Sequence, residues 1–203
     1  NPFSEEALIM RAEVQFNQQQ MAEALASYKM LKEKATNVER RQLAETGILR
    51  CAFLQRDDVE TIHAATEVLA EAKLSPELKN EALYYRAKAY KNQKADKKAL
   101  DDFRELAKDT RNSYGAEAKY QVAQALYDAQ EYAAAEKELL NYIEQSTPHA
   151  YWLARSFVLL SDVYVAMGKD LDARQYLLSL QQNYQGNDDI ESMIEDRLKK
   201  LNK

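Results

Sequence analysis

The sequence predicts an all-helical protein made of paired helices, and three observations support that prediction. Apolar residues recur at three- and four-residue intervals along almost the whole chain of 203 residues, as they do on one face of an α-helix. Only four glycines and three prolines are present, whereas sheet proteins normally need many turns built from these residues. The abundant Ala, Leu, Glu, Lys and Gln favour helix formation. We therefore predict eleven helices of roughly 13 to 20 residues, joined by short turns.

Residues that start and stop helices divide the chain at several points. Ser75-Pro76 and Thr147-Pro148 each place a hydroxyl that can cap a helix before a proline at its first position. Asp57 and Glu60 have the spacing of a capping box. Gly168 lies where another helix is expected to end. These signals separate the apolar segments into consecutive pairs.

The pairs repeat one another. In four of them a small residue is followed twelve positions later by a second small residue and sixteen positions later by a large apolar residue. These triplets are Ala12, Ala24, Tyr28; Ala87, Ala99, Phe103; Ala123, Ala135, Leu139; and Ser161, Ala173, Leu177. The second pair is degenerate, and its best register places Leu49 and Thr61 at the two small positions. The sequence thus predicts about five similar helical hairpins.

This pattern resembles the tetratricopeptide repeat (TPR), in which small residues let two antiparallel helices approach closely and a large residue fills the space beside them. The resemblance covers essentially the whole chain, and the slightly long repeats resemble those of bacterial envelope TPR proteins. It implies an all-α fold: a right-handed α-solenoid of about five hairpins with a C-terminal capping helix. We expect a single domain over 1–203, with repeats at about 4–36, 37–74, 75–110, 113–147 and 148–185 and the capping helix at 187–201.

Composition argues against two classes of partner. The net charge is −5 and no Lys/Arg stripe is present, so binding to nucleic acid is not expected. No apolar run reaches membrane-spanning length, and we expect a soluble chain. The resemblance alone favours the bacterial periplasm or cell envelope over the cytoplasm. Because the chain begins with Asn1, we expect it to be processed or part of a larger bacterial protein.

The sequence contains no residue pattern that predicts catalysis. His63 lies four residues before Glu67, but no His or Cys partner accompanies it, and zinc needs three or four ligands. Cys51 lies in an apolar helix beside Ala52 and Phe53, which favours a buried thiol over a nucleophile. We therefore predict that the chain is not an enzyme and has no metal or cofactor.

The resemblance also implies where a partner would bind. In TPR proteins the first helix of each pair lines a concave groove, through positions three before, one after and four after the first small residue. The groove residues this implies are Ile9, Glu13, Phe16, Arg50, Phe53, Tyr84, Lys88, Lys91, Tyr120, Gln124, Tyr127, Val158 and Asp162. The tyrosines among them could offer a partner a large apolar face and a hydroxyl. Alternatively, the rings pack between neighbouring repeats.

Three functions are consistent with these features. The first is a protein–protein interaction scaffold that holds a segment of a protein or peptide partner in the groove. The alternative is a helical cell-wall or glycan-binding or processing module, although Trp152 is the only tryptophan. The third is self-association through the N-terminal end. Ile190 and Ile194 help the last helix to cap the other end, whereas nothing comparable precedes Ser4, so the N-terminal face is either exposed or continued by further sequence.

Overall fold

The computed structural model describes residues 1–145 and 147–203, and over these residues the chain forms eleven α-helices and no strand. They are α1 Glu5–Asn17, α2 Met21–Lys34, α3 Val38–Leu54, α4 Asp58–Leu69, α5 Pro76–Asn92, α6 Asp96–Leu106, α7 Ser113–Asp128, α8 Tyr132–Glu144, α9 Ala150–Ala166, α10 Asp170–Asn183 and α11 Ile190–Leu201. The all-helical prediction is confirmed. The helices have 11 to 17 residues and are therefore slightly shorter than predicted.

The chain divides into two compact units, residues 1–102 (unit 1) and residues 103–203 (unit 2). In unit 1, each helix from α1 to α5 packs on the next one along the chain. In unit 2, α7 to α10 pack in the same consecutive way, and α11 covers α9 and α10. This packing of consecutive helix pairs is that of a TPR-like α-solenoid, as the sequence predicted.

The small residues of the repeat lie where the two helices of a hairpin are closest. Ala12 and Ala24 are fully buried in the first hairpin, and the corresponding residues of the third, fourth and fifth hairpins are buried as well. In the second hairpin, Leu49 and Thr61 are buried at the same two positions. Because the side chains at these points are short, the two helix axes can come close together, and the larger neighbouring side chains then interdigitate.

Every hairpin turns at the same position, seven residues after its first small residue. The residue there has a positive φ: Gln19 61°, Arg56 59°, Lys94 59°, Gln130 60° and Gly168 75°. The next residue donates its N–H to the carbonyl five residues earlier, for example Lys169 to Tyr164 at 2.7 Å. This is the Schellman geometry that ends many helices. Since Arg56 follows Leu49 by seven residues, the backbone supports Leu49 and Thr61 as the repeat positions of the second hairpin.

The predicted helix starts are correct at two of the three sites. The Ser75 hydroxyl accepts from the Leu78 N–H at 3.1 Å, and the Asp57 carboxylate accepts from the Glu60 N–H at 3.1 Å. The third prediction is wrong: α9 begins at Ala150, and Thr147 does not cap it. The Thr147 hydroxyl instead donates to the Thr110 carbonyl at 3.2 Å. The same hydroxyl accepts from the N–H of His149, the residue just before α9, at 3.3 Å, so it binds the loop rather than the first turn of the helix.

The last helix buries one side only. Ile190 and Ile194 pack against Ala154 and Val158 of α9, whereas Glu191 on the opposite side of α11 is exposed. No helix within the described residues is both long enough and apolar enough to cross a lipid bilayer.

The positive-φ turns predict a stability change of known sign. A residue with a side chain destabilises the folded state by roughly 1 kcal/mol when its φ is positive. Glycine avoids this strain, but it also raises the conformational entropy of the unfolded chain, which offsets part of the gain. Lys94→Gly and Gln130→Gly should therefore each raise the free energy of unfolding by about 0.5 kcal/mol, and Gly168→Ala should lower it by about 1 kcal/mol. Urea denaturation followed by circular dichroism at 222 nm measures both. Lys137→Gly, inside α8, is the control, and it should lower the free energy of unfolding by about 1 kcal/mol. If Lys94→Gly loses as much as this control, the turn assignment is wrong.

Candidate functional site

A cleft of about 560 Å³ opens in unit 1 along the first helices of two consecutive hairpins, α1 and α3, and the start of α5. Its lining includes Glu13, Phe16, Leu43, Gly47, Arg50 and Leu78. Three of these, Glu13, Phe16 and Arg50, belong to the groove set predicted from the sequence. The fold thus brings residues from two repeats together around one cleft with both apolar and polar walls.

The bottom of the cleft depends on the absence of a side chain at Gly47. The ring of Tyr28, from α2, lies against Gly47 of α3, and a Cβ at position 47 would be 2.5 Å from the ring carbons. Carbon atoms cannot approach this closely, so only glycine lets the ring occupy this position. The buried Tyr28 ring therefore forms part of the floor between α1 and α3.

The rim of the cleft carries both signs of charge. The Arg50 guanidinium donates to both carboxylate oxygens of Glu81 on α5, at 2.5 and 3.1 Å. Hydrogen bonding to this carboxylate raises the pKa of Arg50, which stays charged. This bidentate ion pair links α3 to α5, and it holds the Arg50 guanidinium in one orientation. Glu13 and Glu39 are exposed on the same rim.

An aromatic surface lies on α3 and α5 of unit 1. The rings of Phe53 and Tyr85 stack at 4.2 Å with an interplanar angle of 20°, and Tyr84 lies 6.1 Å from Tyr85. The Lys88 ammonium group is 5.6 Å from the centre of the Tyr84 ring. Tyr85 was absent from the sequence-based set because it lies two residues before Ala87, which is not one of the three groove positions that the resemblance implies. The adjacent pair of tyrosines was the only signal that could have suggested it.

The remaining predicted residues of unit 1 differ in their exposure. Ile9 and Phe16 are half-buried and pack against the hydrophobic core of the unit, whereas Lys91 is exposed on α5.

In unit 2, Tyr120 is an inter-helix packing residue. Its side chain is only 7% exposed, and its ring lies 4.9 Å from the Arg155 guanidinium carbon and 5.6 Å from the Trp152 ring. The hydroxyl accepts from Arg155 at 2.7 Å and donates to Gln124 at 3.0 Å. Of the two interpretations of this ring, the structure shows packing between neighbouring repeats. Tyr120, Gln124 and Arg155 thereby join α7 to α9.

The other predicted residues of unit 2 also make contacts within the unit. Val158 is buried against Ile190 of α11. Both oxygens of Asp162 accept from Arg197, at 2.8 and 2.9 Å, which connects α9 to α11. The Tyr127 ring lies 5.7 Å from that of Tyr132. Arg155 and Arg197 were missed by the sequence-based set, yet each follows its partner by 35 residues, about one repeat. That spacing is the signal that could have found them.

Comparison with known proteins agrees with this architecture. A family model described as "Tetratricopeptide repeat" matches residues 6–37 and 81–113, which cover most of the hairpins α1–α2 and α5–α6. The chain therefore contains tetratricopeptide repeats. TPR repeats generally mediate protein–protein interactions, and TPR scaffolds are typically non-catalytic.

Two solved structures resemble this chain in fold. One is a putative kinesin light chain from Podospora anserina with nearly identical TPR-like repeats: 14% identity, 90% of this chain and 95% of that chain covered, TM-score 0.62. The other is a tetratricopeptide repeat protein from Parabacteroides merdae: 16% identity, 98% and 92% covered, TM-score 0.59. At such low identity the likeness shows the fold alone. A search of the curated proteins gives no match.

The chain's reactive side chains are in unreactive settings. Burial raises the pKa of Cys51 to about 11, so its sulfur is a neutral thiol at physiological pH. The His63 ring pairs with Glu67 one turn along α4, Nε2 to Oε1 at 3.1 Å. Within residues 1–145 and 147–203, no group of three or more His, Cys, Asp or Glu side chains could hold a metal ion.

Glu45 is the most perturbed carboxyl group in unit 1. It borders a second cleft, of about 460 Å³, between α2, α3 and α4, and it is only 6% exposed. Burial, together with the neighbouring Glu71 carboxylate, raises its pKa to about 7, while Lys32 acts in the opposite direction. Its Oε2 has no hydrogen-bond partner among the described residues. Ionising Glu45 therefore places a carboxylate inside the unit whose Oε2 has no hydrogen-bond donor among the described residues.

The shifted pKa of Glu45 predicts a pH dependence of stability. The folded chain holds the Glu45 proton up to about pH 7, whereas the unfolded chain releases it near the ordinary glutamate pKa of 4.5. Stability should therefore fall as the pH rises between these values, by about 1–3 kcal/mol between pH 5 and pH 8. Glu45→Gln should remove most of this fall in urea titrations. Glu33→Gln, an exposed glutamate bordering the same cleft, is the matched control and should keep it. An unchanged pH profile for Glu45→Gln contradicts the assignment.

The contact between Gly47 and Tyr28 predicts a coupled pair of mutations. Gly47→Ala should lower the free energy of unfolding by about 1–3 kcal/mol, because a methyl group would overlap the Tyr28 ring. In a chain that also carries Tyr28→Leu the overlap is smaller, so Gly47→Ala should cost at least about 0.5 kcal/mol less. A double-mutant cycle in urea measures the difference. Strictly additive losses would show that the ring does not define the floor of the cleft.

Proposed function

We propose that this chain is a non-enzymatic scaffold that binds a segment of a partner protein in the cleft of unit 1. The observation that supports this is the convergence of Glu13 and Phe16 from α1 with Arg50 from α3 on one cleft of about 560 Å³. Equivalent repeat positions thus form a continuous surface across two hairpins. A cleft of this size accommodates one or two side chains, the usual anchor of a bound segment.

The lining suggests the chemistry of the bound segment. Phe16, Leu43 and Leu78 provide apolar surface for a hydrophobic anchor, and that surface continues the hydrophobic core of the unit. On the rim, Arg50 already has a carboxylate partner in Glu81, which leaves the exposed Glu13 and Glu39 as the charge presented to a ligand. We therefore expect a segment with an apolar side chain next to one or more basic residues.

A glycan-binding function has less support. The indole ring of Trp152 is half-buried and lies against Tyr120 at 5.6 Å and Tyr151 at 5.0 Å. A sugar platform requires a broad exposed ring face, which Trp152 does not present.

Selection from a random peptide display library against the intact chain tests the cleft. The selected peptides should combine an apolar anchor with basic residues. Glu13→Lys should weaken their binding about tenfold or more, since it reverses one of the charges facing the ligand. Glu23→Lys, the same charge change on the exposed side of α2, is the control and should bind like the unmodified chain. Fluorescence anisotropy gives both dissociation constants.

Two results would overturn the proposal. One is that no peptide is enriched above a column without protein. The other is that Glu13→Lys and Glu23→Lys bind the enriched peptides equally well. Circular dichroism of both variants confirms that any loss of binding does not come from unfolding.

A further inference from the structure

The cleft of about 460 Å³ between α2, α3 and α4, here named the acidic cleft, has the composition of a cation site. It opens on a different side of α3 from the cleft that contains Gly47 and Arg50. Its lining holds four carboxyl groups and two ammonium groups, which belong to Glu33, Glu45, Glu60, Glu67, Lys29 and Lys32. An excess of carboxyl groups in a concave surface raises the local concentration of cations.

The two lysines of the acidic cleft already have carboxylate partners on α4. The Lys29 ammonium group lies 3.2 Å from Oε1 of Glu60, and the Lys32 ammonium group donates to Oε2 of Glu67. The other oxygen of Glu67, Oε1, lies 3.1 Å from Nε2 of His63. Among the described residues, both lysines thus form their ion pairs with α4 rather than with α3.

Glu45 on α3 is the feature that indicates a ligand. It is more than nine-tenths buried, yet its Oε2 has no hydrogen-bond donor among the described residues. Its carboxyl group hydrogen-bonds to that of Glu71, just after α4. Two carboxyl groups form such a bond only while one of them holds a proton. Once this proton leaves, two carboxylates face each other, and an outside donor is needed to replace it.

The chemistry around Glu45 favours an ammonium group over other cations. Within residues 1–145 and 147–203, no group of three or more His, Cys, Asp or Glu side chains could hold a metal ion. A guanidinium is a planar fork that binds two oxygens of one carboxylate side by side, whereas Glu45 has one oxygen without a donor. An ammonium group is compact and has N–H donors in three directions, so it can bridge two carboxylates.

We propose that the acidic cleft binds a primary alkylammonium group, which donates to Glu45 and Glu71 in place of their shared proton. The alkyl chain lies against Ile48 and Ala64, the apolar part of the lining. A free amine and a lysine side chain of a polypeptide carry this same group. Because the ligand replaces a proton, binding releases one and strengthens as Glu45 ionises. The site is separate from the one that the proposed function uses.

Titration of the intact chain with n-butylammonium chloride, which has the length of a lysine side chain, tests the site. At constant ionic strength we expect a dissociation constant of about 1 mM at pH 8 and binding about tenfold weaker at pH 5.5. The amine stays charged over this range, whereas Glu45 gains its proton. In ¹³C spectra of carboxyl-labelled glutamate, butylammonium at ten times its dissociation constant should lower the pKa of Glu45 from about 7 to about 6.

Matched variants and ligands locate the effect. Glu45→Gln should weaken binding at pH 8 about tenfold or more, whereas Glu33→Gln, at an exposed glutamate of the same cleft, should change it less than about twofold. Circular dichroism checks that both variants are folded. Tetramethylammonium chloride has the same charge without an N–H donor, and it should leave the Glu45 resonance in place.

The two sources of the ammonium group are separated with Nα-acetyl-lysine methylamide. If it binds as tightly as butylammonium, the acidic cleft accepts a lysine from a polypeptide. If only butylammonium binds, the peptide backbone is too bulky to approach, and the ligand is a free amine.

Three results would overturn the inference. Butylammonium could leave the Glu45 resonance unchanged at pH 8, as it would if Lys32 turned from Glu67 to neutralise Glu45. Glu45→Gln could bind butylammonium as tightly as the unmodified chain does. Tetramethylammonium could produce the same change as butylammonium, which would show general screening of charge. None of these results bears on the binding of peptides, which Glu13→Lys tests separately.

Discussion

The close approach of two helices within each hairpin is the constraint on which the rest of this structure depends. It requires small or buried side chains at two positions, such as Ala12 and Ala24, and a turn that reverses the chain within a few residues. The positive-φ residue seven positions after the first small residue provides that reversal in all five hairpins. Each hairpin leaves apolar side chains on the side that faces the next hairpin. These side chains are buried only if consecutive hairpins pack together, which explains the order of packing.

Neighbouring hairpins are further linked by polar pairs one repeat apart. Glu5 pairs with Arg40, Glu67 with Lys32, Tyr120 with Arg155 and Asp162 with Arg197, and each pair is separated by 35 residues. Because these side chains are partly exposed, each pair contributes little to stability. Their directional geometry nevertheless fixes the register of one hairpin on the next. These pairs also use side chains that a ligand could otherwise contact. For this reason Tyr120, Gln124 and Asp162, which belong to the predicted groove, hydrogen-bond to residues of unit 2.

The proposed binding cleft of unit 1 is a region where the repeat pattern differs from the other hairpins. In the cleft, Gly47 lacks a side chain and admits Tyr28, so a depression forms between α1 and α3. Glu45 shows a related effect, since packing places its carboxyl beside Glu71 without a donor for Oε2. The cleft and the perturbed carboxyl group thus both occur where the repeating contacts leave a position unfilled.

The sequence by itself determined the helices, the hairpins and the buried small residues, because helical periodicity and turn chemistry are local properties of the chain. The resemblance to the tetratricopeptide repeat implied that Glu13, Phe16 and Arg50 belong to one groove, and these three residues line the same cleft. Only the tertiary structure decided that Tyr120 and Val158 are buried, that Thr147 bonds to Thr110 instead of capping α9, and that Gly47 opens a cleft. Each of these outcomes depends on a residue from another helix or loop, and burial and hydrogen-bond partners are set by such distant neighbours rather than by local pattern.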